Sequence, residues 1–81
     1  MLTRGSLCVV SPPEYWPSGQ IDFYGGWTDA ASGDPYVWSA ERGDVMLLLD
    51  FATSDGEEGA AVLDSQGRVG WTWAVALKEV P

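Results

Sequence analysis

Histidine is absent from this sequence, and cysteine occurs once, at Cys8. The absence of histidine removes the commonest general base and a common metal ligand. A single cysteine excludes an internal disulfide and a cysteine-rich zinc site. No glycine motif has the spacing that cradles phosphate, and no serine has a recognisable base partner. We therefore expect no enzyme activity, no cofactor and no metal.

Basic residues are also scarce, with four Lys and Arg against twelve Asp and Glu, for a formal net charge of −8. Direct binding to nucleic acid or to an anionic membrane needs positive patches, so the charge disfavours both. No apolar run reaches the length of a membrane span, and the first residues lack the basic-then-apolar order of a signal peptide. We expect a soluble, cytoplasmic protein.

Aromatic residues are plentiful, since the 81 residues include five Trp, three Tyr and two Phe. A chain of this length forms one domain, here residues 1–81, and buries only a modest fraction of its surface. Large aromatic side chains must therefore supply much of the core. Cys8 lies between Leu7 and Val9 and is expected to be a small buried side chain.

Short strands are predicted along the chain. Residues 45–49 are apolar and follow the turn pair Gly43-Asp44, which favours a buried strand. Residues 53–59 are polar and rich in glycine, which predicts a loop. Upstream, residues 7–10 predict a first strand that ends before two prolines, and residues 21–24 predict another short strand.

A tight hairpin is predicted where residues 60–63 and 68–73 flank Asp64-Ser65-Gln66-Gly67, with a positive φ at Gly67. Alternation along the second arm places Trp71 and Trp73 on one face with Val69, and Gly70 and Thr72 on the other. Which face is buried stays open, because a slip of one residue exchanges the two. Residues 74–77 predict a 3-10 turn and residues 78–80 a final strand.

Three segments follow one another in a characteristic order: Ala40-Glu41-Arg42-Gly43-Asp44-Val45, then Gly67-Arg68-Val69-Gly70-Trp71, then Leu77-Lys78-Glu79-Val80. This order resembles the C-terminal two-thirds of an SH3-like barrel. The resemblance implies an all-β barrel of about five strands with a short 3-10 turn before the last strand. It also implies an enlarged, aromatic-rich loop of the RT type at residues 11–36. The Gly-Trp strand and the Leu-x-x-Val tail resemble small barrels encoded by bacteriophages, which implies an accessory protein.

The sequence departs from the SH3 pattern where peptide-binding members carry their ligand contacts. The tryptophan pair of that family falls on Ala60-Ala61, its proline on Trp73 and its tyrosine on Ala76. The early tyrosine-rich motif is missing. The resemblance therefore implies the fold but not the recognition of proline-rich peptides in the usual manner.

A binding groove between the RT and n-Src loops is nevertheless expected from the aromatic and acidic residues near it. Acid-flanked aromatics suit a basic or proline-containing peptide through cation–π contacts and charge pairing. The competing interpretation is that the aromatics fill the core, with Trp38 and Trp71 inside and Trp16 and Trp27 at the surface. The candidate binding residues are Tyr15, Trp16, Tyr24, Trp27, Asp55, Glu57, Glu58 and Trp73.

Three functions remain open, in a definite order. The first is a non-catalytic module that binds a protein or peptide, either as a monomer or as a weak homodimer. The second is an acidic mimic of nucleic acid that blocks a DNA- or RNA-binding protein, whose binding would be salt-sensitive and tolerant of tryptophan loss. The third is an enzyme acting on a sugar or small ester through two converging carboxylates. The acids available for it in the aromatic-rich loop are Glu14, Asp22, Asp29 and Asp34.

Overall fold

The computed structural model describes residues 2–28 and 35–80, and it confirms the prediction of an all-β protein. Its elements are β1 (Leu7–Val10), β2 (Gln20–Phe23), β3 (Trp38–Glu41), β4 (Val45–Ser54), β5 (Glu57–Leu63), β6 (Val69–Trp73), a 3-10 turn (Ala74–Ala76) and β7 (Leu77–Glu79). The 3-10 turn lies where the sequence predicts it. The last strand begins one residue before its predicted start.

Five strands form one antiparallel sheet in the order β6-β5-β4-β1-β7, and β2 pairs with β3 in a second, two-stranded sheet. Within the described residues the larger sheet is not closed, because its outer strands β6 and β7 do not pair with each other. One bridge joins the two sheets. The backbone N–H groups of Tyr24 and Trp71 each donate to the other residue's carbonyl oxygen at 2.8 Å.

The core lies between the two sheets and follows the two-residue period of the strands. Its buried side chains include Cys8, Val10, Ile21, Phe23, Trp38, Ala40, Met46, Leu48 and Val62. Phe23 and Trp38 are direct cross-strand neighbours, and their rings stack at 4.2 Å with an interplanar angle of 8°. The predicted burial of Cys8 and Trp38 is therefore confirmed.

The loop predicted at residues 53–59 is wrong. Strand β4 continues to Ser54 and β5 begins at Glu57, so only Asp55 and Gly56 connect them. Both have positive φ, 52° and 80°, which is the conformation of a two-residue type I′ hairpin turn. Asp-Gly is the preferred pair for that turn, and this local preference outweighs the polar composition of the flanking residues.

Strand β6 resolves the question of register. Gly70 and Thr72 face the core, whereas Trp71 and Trp73 are half-buried. A Cβ at Gly70 would lie 2.8 Å from Cβ of Phe23, so no larger side chain fits between β6 and that ring. The prediction that Trp71 belongs to the core is therefore wrong, while the predicted sharing of faces along β6 is right.

The hairpin between β5 and β6 has its predicted geometry, with φ of 81° at Gly67. The Asp64 carboxylate accepts hydrogen bonds from the backbone N–H groups of Gln66 at 3.0 Å and Arg68 at 2.7 Å. It also pairs with the Arg68 guanidinium at 2.7 Å. These contacts fix the turn and leave the start of β6 in register with the end of β5.

Candidate functional site

Trp73, the last residue of β6, is the centre of an aromatic cluster formed with Trp16, Tyr24 and Trp27. The three rings stand nearly perpendicular to the Trp73 ring, at interplanar angles of 87°, 86° and 78°. Their centroids lie 6.4, 5.9 and 5.3 Å from its centroid, respectively. Edge-to-face pairs of this kind contribute about 0.5–1.5 kcal/mol each beyond the area that they bury. The cluster therefore holds Trp73 in one orientation.

Hydrogen bonding fixes the polar end of the same side chain. Nε1 of Trp73 donates to Oε2 of Glu57 at 3.1 Å. Glu57 is the first residue of β5, and the Asp55-Gly56 turn places it beside the end of β6. One oxygen of the Glu57 carboxylate therefore accepts the indole hydrogen bond. The neighbouring carboxylate, Glu58, makes no such bond among the described residues.

Trp27 reaches the cluster because a glycine lies beneath it. A Cβ at Gly59 would stand 2.6 Å from Cε2 of Trp27, closer than real Cβ contacts. Gly59 is the cross-strand partner of Trp73, so the two indoles share one side of β5. Trp27 is only 6% exposed, and the prediction that it lies at the surface is wrong. Its ring fills the space that the absent side chain of Gly59 leaves.

An open groove of about 790 Å³ lies on one side of Trp73. Its volume is within the range of natural ligand pockets. Two aromatic rings, Trp73 and Phe51, contribute to its walls, and Phe51 also packs against the core. The full lining is Leu2, Phe51, Glu57, Glu58, Trp73, Ala74 and Val75.

Negative charge dominates this groove. Glu57 and Glu58 are its two charged lining residues among those described, and both are exposed. Arg4 is a cation that contacts a lining residue, since its guanidinium lies 6.0 Å from the Phe51 ring centroid. Arg4 is already paired with Asp50 at 2.8 Å. The groove therefore combines apolar walls with a net negative potential.

Tyr24 adds a neutral hydroxyl to the aromatic cluster. Burial raises the pKa of this phenol, and the charge of neighbouring Asp22 raises it further. The phenol therefore remains protonated at neutral pH and does not add to the negative charge of this region.

The predicted binding residues divide into two groups. Trp16, Tyr24, Trp27, Glu57 and Trp73 meet in the cluster, and Glu58 joins Glu57 and Trp73 in the groove. The structure does not bring the other two predicted residues into the groove lining. Tyr15 is 79% exposed, and Asp55 lies at the tip of the β4–β5 turn.

Four groove residues were not predicted from the sequence: Leu2, Phe51, Ala74 and Val75. Phe51 was missed because β4 was expected to end before it. Val75 is an exposed apolar residue between buried Ala74 and Ala76, and the predicted 3-10 turn alone does not indicate which of its side chains lines a groove. Two acids proposed for catalysis, Asp29 and Asp34, lie outside the described residues.

Comparison with known proteins gave no match to any protein-family model, curated protein or solved structure. Residues 2–28 and 35–80 include no helix with the length and hydropathy needed to cross a bilayer. The same residues contain no group of three or more acidic or cysteine side chains placed to hold a metal ion.

Proposed function

We propose that this protein is a non-catalytic binding module whose groove beside Trp73 takes a peptide with basic and apolar side chains. The observation that carries the proposal is the pairing of apolar walls with two carboxylates, Glu57 and Glu58, in one groove. A Lys or Arg side chain suits such a site because its aliphatic stem packs on apolar surface while its charged end meets a carboxylate.

The two carboxylates have different roles in this proposal. Glu57 is hydrogen-bonded to the Trp73 indole and acts as a positioning residue for that wall. Glu58 has no such contact among the described residues and supplies the charge that pairs with the ligand. The Trp73 ring adds a cation–π surface, which contributes about 0.5–1 kcal/mol at an exposed site.

An SH3-like arrangement supports the same location for the ligand. The resemblance implies a short 3-10 turn before the last strand, and the described residues contain such a turn between β6 and β7. In that arrangement the paired strands β2 and β3 and the β4–β5 turn would occupy the RT and n-Src positions. A bacteriophage accessory protein that contacts a host or virion protein would be one case of such a module.

The test uses synthetic peptide pools in which one position is fixed as arginine, lysine, citrulline or norleucine. Citrulline keeps the length of arginine, and norleucine keeps the four-carbon stem of lysine; neither side chain carries a charge. We expect the arginine and lysine pools to bind the full chain and their neutral counterparts to bind at least fivefold more weakly. Fluorescence polarisation measures the affinities at two salt concentrations.

Matched variants locate the binding site. Glu58→Gln should weaken binding about two- to fivefold, the range for one exposed ion pair, whereas Glu14→Gln, outside the groove, should not. Val75→Lys places a cation in the groove and should weaken it further. The same substitution at Val37, which is equally exposed elsewhere, is its control (56% and 59%). Equal binding of charged and neutral pools would contradict the proposal.

The alternative of a nucleic-acid mimic gives a different result in the same assays. A mimic would ignore the peptide pools and bind a basic nucleic-acid-binding protein through many dispersed carboxylates. Its affinity would fall steeply with salt. Glu58→Gln and Glu14→Gln would then have equal, small effects.

A further inference from the structure

One wall of the Trp73 groove comes from a segment that precedes every strand. Leu2 lines the groove, whereas the other described lining residues belong to β4, β5, β6 and the 3-10 turn. The Leu2 side chain is partly buried and packs against the core. Its position in the groove therefore depends on the few residues that join it to β1, which begins at Leu7.

A reverse turn links Leu2 to the sheet. The N–H of Ser6 donates to the Thr3 carbonyl at 3.1 Å, and Gly5, the third residue of the turn, has φ of 83°. A positive φ at this position is typical of a type II turn. The turn is tied to β4, because the Gly5 N–H donates to the Leu48 carbonyl at 2.8 Å. The residues before the turn lack such a strand partner among the described residues.

The side chains before and within the turn are held by contacts at the surface. Oγ1 of Thr3 donates to Oε2 of Glu79 at 3.2 Å, in an exposed position. The Arg4 guanidinium pairs with Asp50 at 2.8 Å, where the two side chains are 66% and 54% exposed. Exposed ion pairs contribute little, because water and salt screen them. Residues 2–4, which we call the arm, are therefore held weakly enough to leave the groove.

The arm has the chemistry that we propose for the ligand. Leu2 places an apolar side chain in the groove, and two residues later the Arg4 guanidinium lies 6.0 Å from the centroid of the Phe51 ring, which is a groove wall. The proposed peptide combines an apolar and a basic side chain in the same way. An apolar peptide side chain that packs on the surface covered by Leu2 must displace it.

We infer that the arm is an internal ligand of the Trp73 groove, displaced by a peptide with an apolar residue two positions before a basic one. This inference rests on the proposed function of the groove. While the arm is in place, the apparent affinity for the peptide falls in proportion to the fraction of molecules whose groove is open. A peptide with a basic residue alone does not compete for the apolar surface, so the arm favours peptides of its own pattern.

The test measures the affinity of the full chain for two acetylated and amidated peptides by fluorescence polarisation. One peptide is Leu-Thr-Arg-Gly, the sequence of residues 2–5, and the other has serine in place of leucine. We expect the leucine peptide to bind at least threefold more tightly than the serine peptide. Protein concentrations reach about 1 mM, the affinity of a very weak complex.

Leu2→Ser separates an internal ligand from a fixed wall. It removes the apolar side chain of the arm and should raise the affinity for the leucine peptide about three- to tenfold, because more molecules then have an open groove. A fixed wall predicts the opposite sign, because the peptide would lose an apolar contact. Leu7→Ser is the matched control, since Leu7 is 52% exposed and lies outside the groove lining. It should leave the affinity unchanged.

A second pair of variants opens the arm without changing any of its side chains. Gly5 and Gly67 have φ of 83° and 81°, and a Cβ at either would meet no atom within 4 Å. Alanine therefore strains each turn through its backbone alone. Gly5→Ala should raise the affinity for the leucine peptide as Leu2→Ser does, whereas Gly67→Ala, in the β5–β6 hairpin, should not. Circular dichroism checks that each variant is folded.

Three results would overturn the inference. The first is a Leu2→Ser variant that binds the leucine peptide no more tightly than the wild-type chain does, which would leave the proposed function standing without the arm. The second is an equal effect of Gly5→Ala and Gly67→Ala. The third is a lack of binding of either peptide to the wild-type chain and to every variant, in which case the proposed function fails as well.

Discussion

The contact between Trp27 and Gly59 gives the sharpest prediction of this structure. In an ordinary strand, Gly→Ala stabilises by about 0.5–1 kcal/mol because glycine has more freedom in the unfolded chain. At Gly59 the new Cβ would stand 2.6 Å from Cε2 of Trp27, so the indole must move. We expect Gly59→Ala to destabilise the protein by about 2 kcal/mol or more, which is the cost of overpacking a core.

A double-mutant cycle isolates this contact from other effects of the substitution. Trp27→Ala removes the ring, and we expect it to cost about 3–5 kcal/mol because the indole is buried and contacts Trp73. In that background the methyl group at Gly59 has free space. Gly59→Ala should then be neutral or stabilising, so the coupling between the two sites should be about 2–3 kcal/mol.

Urea unfolding followed by circular dichroism measures all four proteins of the cycle. Gly19→Ala is the control for the substitution itself, because its Cβ would meet only Arg42, whose Cβ lies at an ordinary 3.8 Å and whose Nε lies at 4.0 Å. If Gly59→Ala costs the same with and without Trp27, the indole does not lie over Gly59. The assignment of Trp27 to the cluster around Trp73 would then be wrong.

Three further predictions follow from other parts of the fold. Gly56→Ala should cost about 1–2 kcal/mol in urea unfolding, because φ is 80° there and the left-handed region penalises a Cβ. Burial opposes ionisation of Asp64, but hydrogen bonds from Arg68 and Gln66 and the Arg68 charge outweigh it and lower the pKa. Asp64 should therefore stabilise the fold above its unfolded-state pKa, and this stabilisation should be lost as pH falls through its folded-state pKa. The melting temperature should then fall in acid, and Asp64→Asn should make that fall smaller. Burial raises the pKa of the Cys8 thiol to about 11. At pH 8 a thiol reagent should therefore label Cys8 only when the protein unfolds. Rapid labelling of the native protein would contradict the burial of Cys8.

The strands that the sequence predicts correctly are those with a clear local pattern. Residues 45–49 combine a turn pair with an apolar run, and Gly67 lies where a hairpin needs positive φ. The sequence does not predict the full extent of β4 and β5, because the polar composition of residues 53–59 is typical of a loop. Their polar side chains are exposed on a strand pair that extends beyond the core, where alternation no longer marks the strand. The Asp55-Gly56 pair was the local evidence for the correct structure.

The site is harder to predict because its contacts link distant parts of the chain. Aromatic composition indicated that Trp16, Tyr24, Trp27 and Trp73 belong together. It did not show that Trp73 is the centre, because that depends on β6 pairing with Gly59 and on the bridge from β2. The sequence predicts Trp27 at the surface because no residue near it indicates that a glycine 32 residues later makes room for its ring.

The central claim is that the groove beside Trp73 recognises a basic side chain. The indole N–H resonance of Trp73 tests it most directly, because that proton is hydrogen-bonded to Glu57 at the groove. The indole N–H of Trp38, bonded to the Val69 carbonyl away from the groove lining, is an internal control. An arginine-containing peptide should shift the Trp73 signal and leave the Trp38 signal in place, while its citrulline counterpart has little effect. Equal shifts from the two peptides, or no shift at Trp73 from either, would contradict the account.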